Sequence, residues 1–270
     1  MKMLIKLETG MRHLTAAFIA AAYALTPQTA FAWGKTGHRV IGDIADHFLS
    51  PEARGNVMAI LGTESLAEAS NWPDFMKSDT DIYWQKTASP WHYVTVPQGK
   101  TYSNAPPEGD AITALRAFTA TVRNQKAPLA ERQKALHFII HIVGDLHQPL
   151  HVGNGTDRGG NDVKVTWFGK ETNLHSIWDS ALIDDQQLSY SELSNWLRCN
   201  ASAEQLRTWP SANPIDWLNG SAKLRDTIYR TEPNLSWRYV YDTKQSLDEQ
   251  LLRGGIDLAA YLNWTFGKQP

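Results

Sequence analysis

Histidine and aspartate recur at one spacing in two stretches of this 270-residue chain. The stretch HFIIHIVGDLHQPLH places His141 four residues before Asp145, and the stretch NLHSIWDS repeats that spacing with His175 and Asp179. Residues four apart lie on the same face of a helix, and an imidazole and a carboxylate presented together can bind a divalent cation. One such pair is as readily a plain surface pair, but two pairs in a chain with nine histidines indicate a metal centre.

Further candidate ligands lie around these two pairs. Pro149 ends or bends the helix that carries Asp145, which can return His151 toward the same site. Asp74 and His92 occur in the stretches SNWPDFMK and SPWHYVTV, where neighbouring tryptophan and proline residues indicate rigid, packed surroundings. We therefore add Asp74, His92 and His151 to the candidate ligands.

Three other histidines are not assigned to the metal centre. His47 is expected to pack against the protein or to lie at its surface. His137 is expected at the surface or behind a ligand, and His147, inside the motif, could orient a carboxylate or a backbone group.

The N-terminal stretch, residues 11–32, has the features of a secretory signal peptide. Arg12 precedes an apolar run of about 12 residues, which is too short to span a bilayer, and the A-x-A pattern ends at Ala32. The alternative is a buried N-terminal helix, and residues 1–10 are either upstream of the true start or an extended basic region. Cleavage would give Trp33 a free α-amino group, which with its carbonyl could chelate a cation beside His38. The protein is then expected in the periplasm or outside the cell.

Charge and cysteine content limit the partners and the means of stabilisation. The net charge is −2, and removal of residues 1–32 takes away three basic and one acidic residue, which leaves −4. No basic stripe indicates a polyanion partner, but a bound metal can supply positive charge locally. Cys199 is the only cysteine, so an internal disulfide is impossible. Residues 33–270 contain no segment that resembles a membrane anchor, and we expect a monomer.

The elements that must position these residues are predicted to be mostly helices in a single domain, residues 33–270, with at most a small β-hairpin. Strand-like patterns are confined to 93–96 and 163–168, and the clearest loops are 99–107 and 153–160. Apolar periodicity and capping residues predict helices over residues 36–49, 51–61, 108–124, 129–147, 190–198, 214–229 and 246–266.

Taken together, these motifs resemble the zinc-dependent, single-strand-specific nucleases of the mung-bean and fungal P-one/S-one type, whose fold relatives include the bacterial zinc phospholipases C. The shared pattern runs in order from residue 33 to about residue 180, and the chain beyond 190 adds no signature. It comprises Trp33 with Gly37-His38, Trp72-Pro73-Asp74, Trp91-His92-Tyr93, the run from His141 to His151, Gly159-Gly160-Asn161, and the run from Asn173 to Asp179.

The resemblance implies three zinc ions per chain and assigns their ligands. Those of the first ion would be Asp74, His92, His141 and Asp145. Those of the second would be His151, His175 and Asp179. Those of the third would be the Trp33 amine and carbonyl, His38 and Asp145, so that Asp145 bridges two ions. The implied fold is the mostly helical one shared by phospholipase C and the P-one nuclease.

The resemblance also implies the reaction and its substrates. The protein would be an endonuclease that cleaves RNA and single-stranded DNA to 5′-phosphates, with 3′-nucleotidase activity. Asp74 would orient the attacking water, Lys77 would stabilise developing charge, and Tyr93 and Asn161 would contact the nucleotide. Thr95 stands where relatives often carry Asp or Asn, which puts the base preference in doubt. The alternatives are a phospholipase C-like lipid phosphodiesterase on the same tri-zinc scaffold and a zinc-stapled binding protein.

Overall fold

Most of the chain is helical, because apolar residues recur at helical spacing and capping residues stand at several helix starts. The computed structural model describes residues 33–267, so the predicted signal peptide, residues 1–32, lies outside the described residues. The helices are α1 (Lys35–Phe48), α2 (Pro51–Leu61), α3 (Leu66–Ala69), α4 (Trp72–Met76), α5 (Ala111–Arg123), α6 (Leu129–His147), α7 (Leu174–Ser176), α8 (Leu182–Asp184), α9 (Tyr190–Asn200), α10 (Ala203–Thr208), α11 (Pro214–Ile228) and α12 (Trp237–Phe266).

Several tighter or wider helical turns connect these helices. They are Tyr83–Thr87, Ser89–His92, Pro149–His151 and Ile177–Ala181. The strands are β1 (Val94–Thr95), β2 (Val152–Gly153), β3 (Lys164–Trp167), β4 (Lys170–Asn173) and β5 (Asn234–Leu235). The predicted mostly helical fold is confirmed, and among residues 33–267 no helix is long and apolar enough to cross a membrane.

Helix starts follow the capping residues that the sequence contains. The Ser50 hydroxyl accepts a hydrogen bond from the Ala53 N–H at 3.1 Å, and Pro51 occupies the first position of α2. Helices α2 and α6 have the predicted bounds. The prediction was wrong for the start of α12, which lies at Trp237 instead of residue 246, and it missed α10.

The interior is organised around α6, whose residues from Ala135 to His147 are all buried. Helix α1 packs closely against α12 because α12 contributes glycine at the contact. A Cβ on Gly255 would lie 2.4 Å from Ile44 Cβ, and one on Gly254 would lie 3.0 Å from Ile41 Cδ1. This close packing fixes the start of α1, which carries His38, relative to the rest of the core.

Two small sheets hold the connecting segments. Strands β3 and β4 form an antiparallel hairpin, turned at Phe168 and Gly169, both of which have positive φ. Strand β3 lies within the predicted strand 163–168, whereas β4 was not predicted. Strand β5 adds to β3 in parallel. Strands β1 and β2 pair in parallel with Val94 opposite Val152. Because β1 closely follows His92 and β2 directly follows His151, this pairing brings two candidate ligands close together.

Candidate metal centre

Candidate ligands from six separate segments converge in the interior. His38 lies on the first turn of α1, and Asp74 lies on α4. His92 and His151 end two 3₁₀ turns. All nine predicted ligand residues are buried, from 0% to 5% exposed: Trp33, His38, Asp74, His92, His141, Asp145, His151, His175 and Asp179.

The first group is built around the pair on α6. The Nε2 atom of His141 lies 3.2 Å from Asp145 Oδ2 and 3.6 Å from Asp74 Oδ1. His92 Nδ1 lies 2.9 Å from His141 Nε2 and 3.1 Å from Asp145 Oδ2. Asp74, His92 and His141 each offer one ligand atom, and these atoms lie within 4.8 Å of one another. The four predicted ligands of the first ion therefore share one place.

The second group consists of His151, His175 and Asp179, whose ligand atoms also lie within 4.8 Å of one another. His175 Nε2 is 3.1 Å from Asp179 Oδ2, and the His151 and His175 rings stack with centroids 5.0 Å apart. The Asn173 side chain caps the turn that presents His175 by accepting a hydrogen bond from Ser176 N–H at 2.8 Å. The predicted ligands of the second ion are thus also together.

The third group joins α1 to α6. His38 Nε2 lies 3.3 Å from Asp145 Oδ1, and His38, His141 and Asp145 could hold an ion between them. Gly144 makes this approach possible, because a Cβ there would lie 2.9 Å from His38 Nδ1. Trp33 is fully buried.

Three histidines of the cluster use one ring nitrogen, Nδ1, to contact a backbone carbonyl, which leaves the other, Nε2, to face the cluster. The Nδ1–H groups of His141, His151 and His175 each face a backbone carbonyl, so that in the neutral form of each ring it is Nε2 that carries no proton. The accepting carbonyls are those of Ser70 at 2.7 Å, His92 at 2.6 Å and Gly159 at 2.6 Å. A carbonyl behind each imidazole is the arrangement that orients histidine ligands toward metal.

Unpaired buried atoms show that the residues fit a metal. Within residues 33–267, both ring nitrogens of His38, Nε2 of His151 and Oδ1 of Asp145 are buried without a hydrogen-bond partner; His38 Nε2 and Asp145 Oδ1 are 3.3 Å apart but do not form a hydrogen bond. A buried polar atom left without a partner costs about 1–3 kcal/mol. Neutral imidazole and carboxylate are the nitrogen and oxygen ligands that zinc prefers, so a divalent cation would satisfy these atoms together.

The electrostatics of the cluster also favour a cation. Burial, reinforced by the charge of Lys77, lowers the pKa of His92 to about 3, so this imidazole is neutral. Burial opposes ionisation of Asp145, but the facing histidines, chiefly His141 and His151, hold its pKa well below the usual range. For His141 burial is outweighed by Asp145 and Asp74, which raise its pKa. The carboxylates therefore attract positive charge into the cluster.

The predicted substrate-contacting residues lie beside these groups. Lys77 Nζ is 2.6 Å from Asp74 Oδ1, and its side chain is 24% exposed. Tyr93 directly follows His92 and is 46% exposed. Asn161 donates from Nδ2 to the Arg158 carbonyl at 2.8 Å, in the same loop as the carbonyl that fixes His175.

Two histidines outside the cluster have structural partners. His137 contacts Gln133 O and Glu64 Oε2 through its two ring nitrogens. His147 faces Asp257 Oδ2 at 3.0 Å and Val143 O at 2.8 Å. His47 is exposed, as expected.

A buried arginine that the sequence analysis did not identify fixes two ligand-bearing segments. Arg225 Nη1 on α11 donates to the carbonyls of Val96 at 2.8 Å and Val152 at 2.6 Å. It therefore joins the residues that flank β1 and β2. Because these contacts span 129 and 73 residues of sequence, no local pattern indicates them.

Comparison with known proteins gives consistent findings. A family profile described as S1/P1 Nuclease matches residues 33–267. Endonuclease 4 of Arabidopsis thaliana is 29% identical in an alignment that covers 89% of this chain and 91% of that protein. Nuclease S1 of Aspergillus oryzae is 30% identical in an alignment that covers 91% of this chain and 96% of that protein. Among solved structures, the alpha toxin of Clostridium absonum aligns with a TM-score of 0.46 and 18% identity over 89% of this chain and 68% of the toxin.

Proposed function

This chain belongs to the S1/P1 nuclease family and hydrolyses phosphodiester bonds of nucleic acids; we propose that it is an exported, zinc-dependent endonuclease. Its substrates are RNA and single-stranded DNA, its products carry 5′-phosphates, and it also removes phosphate from 3′-nucleotides. One observation carries the proposal. The bare Nε2 atoms of three histidines converge with buried carboxylates beside a lysine and an exposed tyrosine.

Three zinc ions would be held as the family resemblance implies. Asp74, His92, His141 and Asp145 would hold the first, and His151, His175 and Asp179 the second. The amine and carbonyl of Trp33 would hold the third with His38 and Asp145. The second set, and the first set apart from Asp145, are supported by ligand atoms that lie within 4.8 Å of one another. Asp145 joins the first set through Oδ2, which lies 3.1 Å from His92 Nδ1 and 3.2 Å from His141 Nε2. The third is supported by the 3.3 Å contact between His38 and Asp145 and by the atoms of both residues that lack partners.

The chemistry divides between the metals and the side chains around them. Zinc lowers the pKa of bound water toward about 7 and neutralises phosphate oxygens. The carboxylate of Asp74 would accept a hydrogen bond from the attacking water and so aim it at phosphorus. The Lys77 ammonium, 2.6 Å from Asp74, keeps two further donors. It would direct them at the charge that develops on the phosphate in the transition state.

Preference for single strands follows from where the substrate must bind. The ligand atoms are buried, so a phosphate has to enter between side chains that would exclude a stiff duplex. Tyr93, half-exposed next to His92, offers a ring on which an unpaired base can stack, and stacking of this kind tolerates any base. Asn161 would contact the nucleotide as well. Thr95 offers one hydroxyl instead of an amide or carboxylate, so base selection here would be weak.

Maturation would complete the metal centre. Signal-peptide cleavage after Ala32 would create the amine of Trp33, which is an amide in the precursor. This proposal is supported by the family match, which begins at residue 33. Further support comes from the bond between Gly34 N–H and the Asp179 carbonyl at 2.6 Å, because it holds the new N-terminus beside the second group. The mature enzyme would act as a monomer in the periplasm or outside the cell.

The test compares the cleavage of several substrates by a chain that begins at Trp33 and is loaded with zinc. We expect fast cleavage of single-stranded DNA and RNA, slow cleavage of duplex DNA, and 5′-phosphate ends on the products. A 3′-nucleotide should release inorganic phosphate. Hydrolysis of a phosphatidylcholine analogue without cleavage of single strands would instead identify a lipid phosphodiesterase and refute the proposal. Inactivity on every substrate with zinc bound would refute both.

A further inference from the structure

Gln148 lies between the end of α6 and the turn that carries His151, and it is fully buried. All four of its polar groups have partners. Its backbone N–H donates to the Asp145 carbonyl at 3.0 Å, and its carbonyl accepts from His151 N–H at 3.0 Å. Its side-chain Oε1 accepts from Leu150 N–H at 2.5 Å, while Nε2 donates to Asp179 Oδ1 at 2.5 Å. One residue thus contacts three candidate ligands.

The side-chain contact with Asp179 decides which of its oxygens is free. Asp179 comes from a segment 31 residues further along the chain. Its Oδ1 accepts from Gln148, which leaves Oδ2 toward His175 Nε2 at 3.1 Å. Rotation of this carboxylate would exchange the two oxygens, and the hydrogen bond from Gln148 opposes that rotation.

The two side-chain contacts require a primary amide. The group must donate to a carboxylate and accept from a backbone N–H at the same time, and a primary amide does both. An ionised glutamate at this position would have no donor and would repel Asp179, and a methionine would leave both partners unpaired. Asparagine has the amide but is shorter by one methylene, so it cannot reach both partners without a shift of the backbone.

We propose that Gln148 is a positioning residue for the second metal group: it orients Asp179 and holds the turn of His151 against the end of α6. It would thereby present two of the three ligands at the spacing that a zinc ion needs. The inference rests on the proposed function, because it takes His151, His175 and Asp179 as the ligands of the second zinc ion.

The test compares Gln148→Glu and Gln148→Asn with the wild-type chain and with Gln250→Glu. Gln250 is a matched control, since its buried amide donates to the His147 carbonyl at 2.7 Å and to Ser221 Oγ at 3.1 Å without contacting a candidate ligand. Zinc is titrated into metal-free protein against a chromophoric chelator, and the thermal unfolding of the metal-free and zinc-loaded forms is measured in parallel.

We expect Gln148→Glu to bind one of its zinc ions about 10- to 100-fold more weakly, the range typical of residues that orient a ligand. Cleavage of single-stranded DNA should return as zinc is raised. Gln148→Asn should show the same loss to a smaller extent, and it decides the question if the glutamate variant does not fold. Gln250→Glu should lower the unfolding temperature of both forms and leave the zinc titration unchanged.

Two outcomes separate this inference from the function on which it rests. Wild-type zinc affinity at every site in a folded Gln148 variant would overturn the inference alone. A wild-type chain that binds no zinc would overturn the proposed metal assignment and the inference with it.

Discussion

Replacement of Asp145 by asparagine should separate a bridging ligand from an ordinary buried carboxylate. Asp145 is fully buried, with side-chain oxygens 3.3 Å from His38 Nε2, 3.1 Å from His92 Nδ1 and 3.2 Å from His141 Nε2. Asparagine keeps the shape and removes the charge. Loss of one partner from a buried charged contact costs about 3–5 kcal/mol. At about 1.4 kcal/mol per tenfold, zinc affinity should fall by roughly 10²- to 4 × 10³-fold at both sites that share this residue.

The assay is the zinc content of each chain after gel filtration in a chelator of known affinity, together with cleavage of single-stranded DNA. Asp257→Asn is the matched control, because Asp257 is equally buried but faces His147 at 3.0 Å, outside the cluster. We expect Asp145→Asn to lose two of three zinc ions and its activity, whereas Asp257→Asn keeps all three. An Asp145→Asn chain with wild-type zinc content and affinity would show that the residue bridges nothing.

Four further predictions concern the same centre. An uncleaved tag in front of Trp33 should leave two zinc ions per chain, and three ions by elemental analysis would contradict the proposed role of its amine. Lys77→Met should lower kcat by about 10²- to 10³-fold with zinc content unchanged. Tyr93→Ala should raise KM about 5- to 150-fold, since stacking contributes about 1–3 kcal/mol per base. Wild-type kinetics in either variant would exclude the substrate contact proposed for that residue. Acidification from about pH 8 to about pH 5 should release zinc. Burial lowers the pKa of His141 and His175, but the carboxylates that face them raise it by more. Falling pH therefore protonates the nitrogens that would bind metal. Zinc retained at the lower pH in an equilibrium dialysis would count against these two ligands.

Local patterns predicted most of the helices, because their determinants lie within a few residues. Ser50 and Pro51 set the start of α2, and the apolar run before His147 identifies α6 as buried. The early start of α12 was missed because its first turns are largely exposed: Trp237 is 70% and Tyr241 79% accessible. These turns do bury one face, with Tyr239 and Thr243 each 3% exposed, but the exposed aromatic residues beside that face obscure its period in the sequence.

The candidate site was predictable to the extent that its members share a segment. Spacing identified the pair of His141 and Asp145, and it identified His175 and Asp179, since each pair lies within one helical turn. The grouping of Asp74 and His92 with the first pair came only from a family resemblance. No spacing rule relates residues that are brought together from different segments.

The sequence by itself determined which residues could do chemistry here, the mostly helical class, and the family to which the chain belongs. Tertiary structure decided which nitrogen of each histidine is bare, because that depends on carbonyls such as Ser70 and Gly159 that pack behind the rings. It also decided that the Gln148 amide donates to the Asp179 carboxylate and that the His38 ring packs against Gly144, where a Cβ would leave no room for it. Contacts of this kind join segments far apart in the chain, and only packing of the whole core, through many weak interactions, selects them.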